Sequence, residues 1–203
     1  LIGTTGTAFA IAATDVWTGI TTVETITAVA NSAAVDIALD LTAATAGITT
    51  VDISLADSGN AGSNVIDISE FTGTGATTLI GADGTGSQAI TGAGGIDTIT
   101  GGAAVDTILG AGGADVIVGA AGADVITGGA GADTITGGAG ADDFIYLLTA
   151  DLFNDTTNAI IDTSLAGGDD TDELLVGTNG TAFAIAADDA WTGITTVETI
   201  TAV

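Results

Sequence analysis

Six consecutive nonapeptides in a single phase occupy residues 92–145: GAGGIDTIT, GGAAVDTIL, GAGGADVIV, GAAGADVIT, GGAGADTIT and GGAGADDFI. The sixth position is aspartate in every copy (Asp97, Asp106, Asp115, Asp124, Asp133 and Asp142). The eighth is a large apolar residue in every copy (Ile99, Ile108, Ile117, Ile126, Ile135 and Phe144). So short a period, held without interruption, confines the segment to a stacked repeat architecture. Each unit divides into a glycine turn, where positive φ and close backbone approach are available, and a short strand of β-forming residues. Side chains alternate along a strand, so the apolar eighth residue points inward.

Two units make one full coil, so equivalent turns recur at every second unit. Asp97, Asp115 and Asp133 fall on one edge, and Asp106, Asp124 and Asp142 on the other. Neighbouring coils of a parallel sheet lie about 4.8 Å apart. Two carboxylates at that spacing repel by roughly 3.5 kcal/mol at an effective dielectric of about 20. The chain has no Lys, Arg or His to set against its 26 acidic residues and net charge of −26. Stacked aspartates therefore require cations from outside. Hard oxygen donors, with no Cys or His in the sequence, select calcium over zinc, copper or iron. Three aspartates on each edge leave four interior gaps in all. A site that exists only when coils stack couples metal binding to folding. Asp115 and Asp124 each border two gaps and terminal Asp97 one, so the inner pair is expected to matter more.

The same residues resemble the RTX, or haemolysin-type calcium-binding, repeat, whose pattern is GGxGxDx-apolar-x. The resemblance covers the six units. It implies a right-handed parallel β-roll with calcium in the turns and export by a type I secretion system of a Gram-negative-type bacterium. It also implies the metal ligands: the six aspartates, and carbonyls of the turns at Gly92, Gly94, Gly101, Ala103, Gly110, Gly112, Gly119, Ala121, Gly128, Gly131, Gly137 and Gly140. Ala93, Ala111 and Ala120 replace the second glycine, and Ala104 replaces a later one, where strain is expected. Two degenerate units lie outside the block. GNAGSNVID (59–67) puts Asn64 in the aspartate position, and GGDDTDELL (167–175) puts Asp172 there. Asp172 is a further candidate ligand, within a dense acidic run that also holds Asp169, Asp170 and Glu173.

A longer repeat frames the chain. Residues 175–203 match residues 1–29 at 25 of 29 positions, at an offset of 174. The expected organisation is a tandem array with a 174-residue unit. Residues 1–29 and 175–203 are copies of the unit start, 30–91 an irregular parallel β-helix, 92–145 the roll, and 146–174 a cap or linker. Strand-like pieces in 20–91 alternate apolar and polar residues at intervals of about 11 to 16. The W/L-x-G-I-x-x-V-E-x-I stretch at 17–26 is similar to segments of bacterial surface-layer proteins and giant adhesins. Asp36, Asp52 and Asp67 sit between apolar residues and should face solvent. Thr149 is expected to cap a short helix over Leu152 and Phe153. Tyr146, Phe144 and Phe153 are expected to cover an end or side of the solenoid, and Trp17 and Trp191 to serve as core or cap. The fold class is thus all-β, a parallel β-helix continuing into a roll.

Composition narrows the function. The missing His, Cys and Lys remove the usual nucleophile and base pairs. The charge repels nucleic acid and anionic membranes. No apolar run approaches the roughly 20 residues of a transmembrane helix. The expectation is a non-enzymatic, extracellular, calcium-stabilised structural protein that self-associates into a filament, sheath or surface layer. A cell-surface polysaccharide is a candidate partner. The alternatives are the extender of a giant RTX adhesin and the calcium-folded secretion domain of an exported enzyme.

Overall fold

Alternation of apolar and polar residues along short glycine-bounded segments gives strands throughout. The computed structural model describes residues 9–11, 25–27, 35–39, 48–54, 63–71, 75–147, 162, 164–177 and 193–202. They hold seventeen strands and no helix, hence no helix long and apolar enough to cross a membrane. The strands are β1 (Phe9–Ile11), β2 (Thr25–Thr27), β3 (Val35–Ala38), β4 (Thr50–Asp52), β5 (Asn64–Asp67) and β6 (Thr77–Ile80). Then come β7 (Gln88–Thr91), β8 (Asp97–Gly102), β9 (Thr107–Gly112), β10 (Val116–Ala121), β11 (Val125–Ala130) and β12 (Thr134–Ala139). The last five are β13 (Asp143–Tyr146), β14 (Ser164–Asp169), β15 (Glu173–Val176), β16 (Ile194–Thr195) and β17 (Thr199–Ala202).

Odd-numbered strands form one nine-stranded sheet and even-numbered strands an eight-stranded sheet, each in sequence order. Every pairing is parallel. The chain therefore winds as a two-sided solenoid, one strand per side per coil, as the repeat predicts. Register gives the coil length. It is two nonapeptides where Ala89 pairs with Thr107, Thr107 with Val125, and Val125 with Asp143. Elsewhere the coil is longer, as from Thr50 to Thr78, from Asn64 to Gln88 and from Thr134 to Ser164. Both sheets run on from the irregular coils into the two-unit coils.

The core is a stack of apolar side chains between the sheets. Ile99, Ile108, Ile117, Ile126, Ile135, Phe144, Leu165 and Leu174 are each at most 1% exposed, and the line continues upstream through Leu79, Ile66 and Ile37. Each such side chain contributes about 1.5–3 kcal/mol on burial. Phe144 and Tyr146 belong to this stack on β13, between β11 and β15. They do not cover an end or side, because they occupy ordinary inward positions of a strand. Asp36 is exposed, and Asp52 and Asp67 are half-exposed, each of these two accepting the N–H two residues on (Ser54 and Ser69, both 2.9 Å). The expected helix at Thr149, with Leu152 and Phe153, and the positions of Trp17 and Trp191 lie outside the described residues.

Turn strain falls elsewhere than at Ala104, which is not among the residues with positive φ. It falls at Ala111 (φ 80°) and Ala120 (φ 87°), where the second glycine of the unit is replaced. Gly129 and Gly138 hold the equivalent conformation at φ 100° and 125°. A left-handed conformation costs an L-residue roughly 1–2 kcal/mol that glycine avoids, less the entropy glycine loses on folding. Ala111→Gly and Ala120→Gly are therefore expected to stabilise the calcium-loaded chain by about 0.5–1 kcal/mol each. Equilibrium denaturation checks this, and a loss of stability would contradict it.

Candidate metal centre

Each repeat aspartate stands at a corner where a glycine turn enters a strand, and the stack sets corner upon corner. On one edge the N–H of Asp97 donates to Oδ1 of Asp115 (2.8 Å), and the N–H of Asp115 to Oδ1 of Asp133 (2.9 Å). On the other, the N–H of Asp106 donates to Oδ1 of Asp124, and that of Asp124 to Oδ1 of Asp142, both at 2.8 Å. Two carboxylate ladders thus run along the solenoid, each rung joining equivalent corners of successive coils. Their members are at most 1% exposed.

One oxygen of each carboxylate is satisfied by the ladder. The second oxygen is left over in five carboxylates: Oδ2 of Asp106, Asp115, Asp124, Asp142 and Asp172 is buried without a hydrogen-bond partner. An orphaned buried carboxylate oxygen is costly. These atoms share a common setting, the α-carbon of the first glycine of the turn. A Cβ on Gly101 would lie 2.6 Å from both Asp106 Oδ2 and the carbonyl oxygen of Gly119. A Cβ on Gly110 would lie 2.6 Å from Asp115 Oδ2 and 2.5 Å from the carbonyl oxygen of Gly128. Glycine is needed because carboxylate and next-coil carbonyl converge there.

The electrostatics agree. Burial pushes Asp106 up to about 7, against the N–H of Gln88, and the carboxylate of Asp124 adds to the rise. Burial likewise pushes Asp115 up to about 7, against the N–H of Asp97, with Asp133 and Asp97 adding to it. Asp142 rises to about 6, first through burial and then through its neighbours Asp124, Asp172 and Asp143. Asp124 rises mainly through burial.

Carboxylate and carbonyl oxygens alone are a calcium donor set. Among the described residues no three acidic side chains gather on one point, so backbone oxygens must complete any site. The residues present fit calcium on that basis. The carboxylates at Asp106, Asp115, Asp124 and Asp142 would hold it with first-glycine carbonyls such as those of Gly119, Gly128 and Gly137. Bound there, the ion would supply the positive charge that the sequence lacks.

The structure brings only some of the expected carbonyls to the carboxylates. First-glycine carbonyls at Gly110, Gly119, Gly128 and Gly137 lie beside the α-carbons of Gly92, Gly101, Gly110 and Gly119, where Oδ2 of Asp97, Asp106, Asp115 and Asp124 also sits. Gly94 faces open space, and Gly112 has Ala130 O and the α-carbon of Gly94 nearby but no carboxylate. Gly131 and Gly140 pack against the carbonyls of Gly113 and Gly122.

The ladders extend past the expected members. Asn64 is buried, accepts the N–H of Val35 (2.8 Å) and donates to Gln88 Oε1 (3.0 Å). Gln88 in turn donates its N–H to Asp106 Oδ1 (2.6 Å). On the other edge Thr77 donates its hydroxyl to Asp97 Oδ1, while the N–H of Ala93 donates to Asp97 Oδ2 (2.8 Å). Asp97 is thus fully satisfied by protein. Downstream, Asp162 accepts the N–H of Asp133 (2.9 Å) and the hydroxyl of Tyr146, and Asp172 accepts the N–H of Asp142 (2.8 Å). Sequence reasoning missed Gln88, Thr77 and Asp162. The signal for Gln88 was present, since DGTGSQAIT at 83–91 is a seventh unit in phase with Gln in the aspartate position.

The family model of the RTX calcium-binding nonapeptide repeat (4 copies) matches residues 83–117 and again 109–144. That stretch carries RTX repeats, which bind calcium, and its first matched residue coincides with the seventh unit. No curated protein and no solved structure matches the chain.

Two outcomes are expected. Without metal, the raised aspartates hold protons in the folded state that the unfolded chain releases near its ordinary value of 3.8. Their contribution to stability is complete below that value and is lost as pH rises through about 6 to 7. The metal-free chain should therefore melt higher at pH 4.5 than at pH 8, and calcium should close that gap; melts of both forms across this range check it. Further, Asp115→Ala or Asp124→Ala should lose more bound calcium than Asp97→Ala, whose carboxylate the protein already satisfies. Calcium titration of the three variants tests the order, and equal losses would refute it.

Proposed function

We propose that this RTX-bearing chain is an extracellular structural material, a calcium-stiffened solenoid whose units build a filament, sheath or surface layer, and not an enzyme. The observation that carries the reading is the continuity of the two sheets, with the buried polar groups gathered into ladders along the stack. Such chemistry holds coils together and turns no reactive group outward. A β-roll of this kind is typical of secreted bacterial proteins. The 25-of-29 identity between the two ends of the sequence supports a repeated building unit.

Self-association needs a surface on which two chains of charge −26 can meet. Over β8, β10 and β12 the outer face of the eight-stranded sheet offers one, with Asp52 two strands upstream on β4. Thr98 and Thr100 of β8, Val116 and Val118 of β10, and Thr134 and Thr136 of β12 lie in two aligned columns without a charge. The outer face of the nine-stranded sheet carries Asp36, Asp67, Asp143 and Glu173. Sheets pack face to face about 10 Å apart through such flat β-branched surfaces. The adhesin-extender reading shares the calcium chemistry but predicts isolated tethers and a separate binding domain.

Electron microscopy of the native material in calcium is the test. Filaments or a lattice are expected; single rods ending in a globular domain would favour the extender. Val116→Asp is expected to abolish lateral packing and leave calcium binding intact. Unchanged packing by sedimentation would remove that face from the assembly.

A further inference from the structure

The ladder of carboxylates does not stop where the RTX match ends at residue 144. Asp172 stands well beyond that point, and its partner across the next turn comes from a segment with no nonapeptide pattern, ITTVE at 194–198. Asp172 is fully buried. Its Oδ1 is used by the N–H of Asp142 (2.8 Å), and its Oδ2 has no partner. The space beside the α-carbon of Gly167 is closed by Asp172 Oδ2 and the carbonyl oxygen of Thr196. This repeats the cradle at Gly101 and Gly110, with Thr196 supplying the carbonyl that a first glycine supplies there. Glu198 takes the next place on the ladder, accepting the N–H of Asp172 through Oε2 (2.8 Å). The hydroxyl of Thr196 accepts the N–H of Gly168 (2.9 Å), fixing the turn against the coil below. Asp169 and Asp170 are exposed on the same turn.

We propose that Asp172, the Thr196 carbonyl and Glu198 form a further calcium site, which fastens β16 and β17 to the end of the roll. The inference rests on the calcium reading of the roll and extends it to a different kind of partner. Thr196 and Glu198 belong to the segment that repeats residues 1–29, where the same positions are Thr22 and Glu24. The site therefore joins the roll to the repeated segment. An RTX-type turn supplies one half of it, and a turn without glycine supplies the other.

The test uses the full chain and calcium alone. Calcium stoichiometry and hydrogen exchange are compared for wild type, Asp172→Asn, Glu198→Gln and, as a control in the roll, Asp115→Asn. Asp172→Asn is expected to bind one ion fewer, and protection of 194–202 should cease to depend on calcium while β9–β12 keep their calcium-dependent protection. Glu198→Gln, which alters the group positioned on the Asp172 amide, should weaken the same ion about tenfold. Asp115→Asn should lose calcium from the roll and leave the response of 194–202 in place. An Asp172→Asn chain with wild-type stoichiometry, or wild-type protection of 194–202 that ignores calcium, overturns this site alone. A wild-type chain that binds no calcium overturns the reading of the roll and this site with it.

Discussion

A backbone N–H reaching the carboxylate of the next coil is the contact on which the solenoid depends. It ties coil to coil at both corners and fixes the two-unit register. It also draws the aspartates into the interior, where at Asp106, Asp115, Asp124, Asp142 and Asp172 one oxygen is held and the other is left unmatched. The arrangement thus leaves a carboxylate oxygen unanswered at each of those rungs. A sequence with any lysine or arginine could answer it internally. This one answers it only with a proton or an external cation, so its folding is tied to what the surrounding solution contains.

Where the ladder changes chemistry, the charge problem disappears. Asn64 and Gln88 hydrogen-bond to each other and onward as neutral amides, and Thr77 with the Ala93 amide satisfies both oxygens of Asp97. Among the described residues, the irregular coils upstream stack on hydrogen bonds and apolar burial. The demand for cations begins at Asp106 and Asp115. One architecture contains a neutral part and a charged part, divided at the corner residue and not at any break in the sheets.

Much of this was legible in the sequence because a nine-residue period leaves little freedom. The inward column from Ile99 to Phe144, the two aspartate edges and the parallel stacking all follow from that period. Upstream, alternation in pieces such as AVDIAL and NVIDIS showed strands but not which coil each joined, because loops of unequal length hide the register. Gln88 is in phase, but its unit opens on Asp83 where the six repeat units open on glycine, which hides it from the pattern. Asp162 escaped for a different reason: it lies three residues before inward Leu165, where a repeat aspartate lies two before its isoleucine. Composition alone points to strain at Ala104, while the backbone places it at Ala111 and Ala120, where an alanine occupies a position of positive φ; the other positive-φ positions of those two turns, Gly113 and Gly122, are glycines.

Corner partners separated by 18, 24 or 30 positions along the chain all advance the stack by one strand spacing. Axial rise and residue number are therefore uncoupled. Extra residues between the partners leave the pitch untouched. Such a rod tolerates insertions as a spiral staircase tolerates wider landings: mutation can remodel its girth and texture, while its height counts only the number of windings.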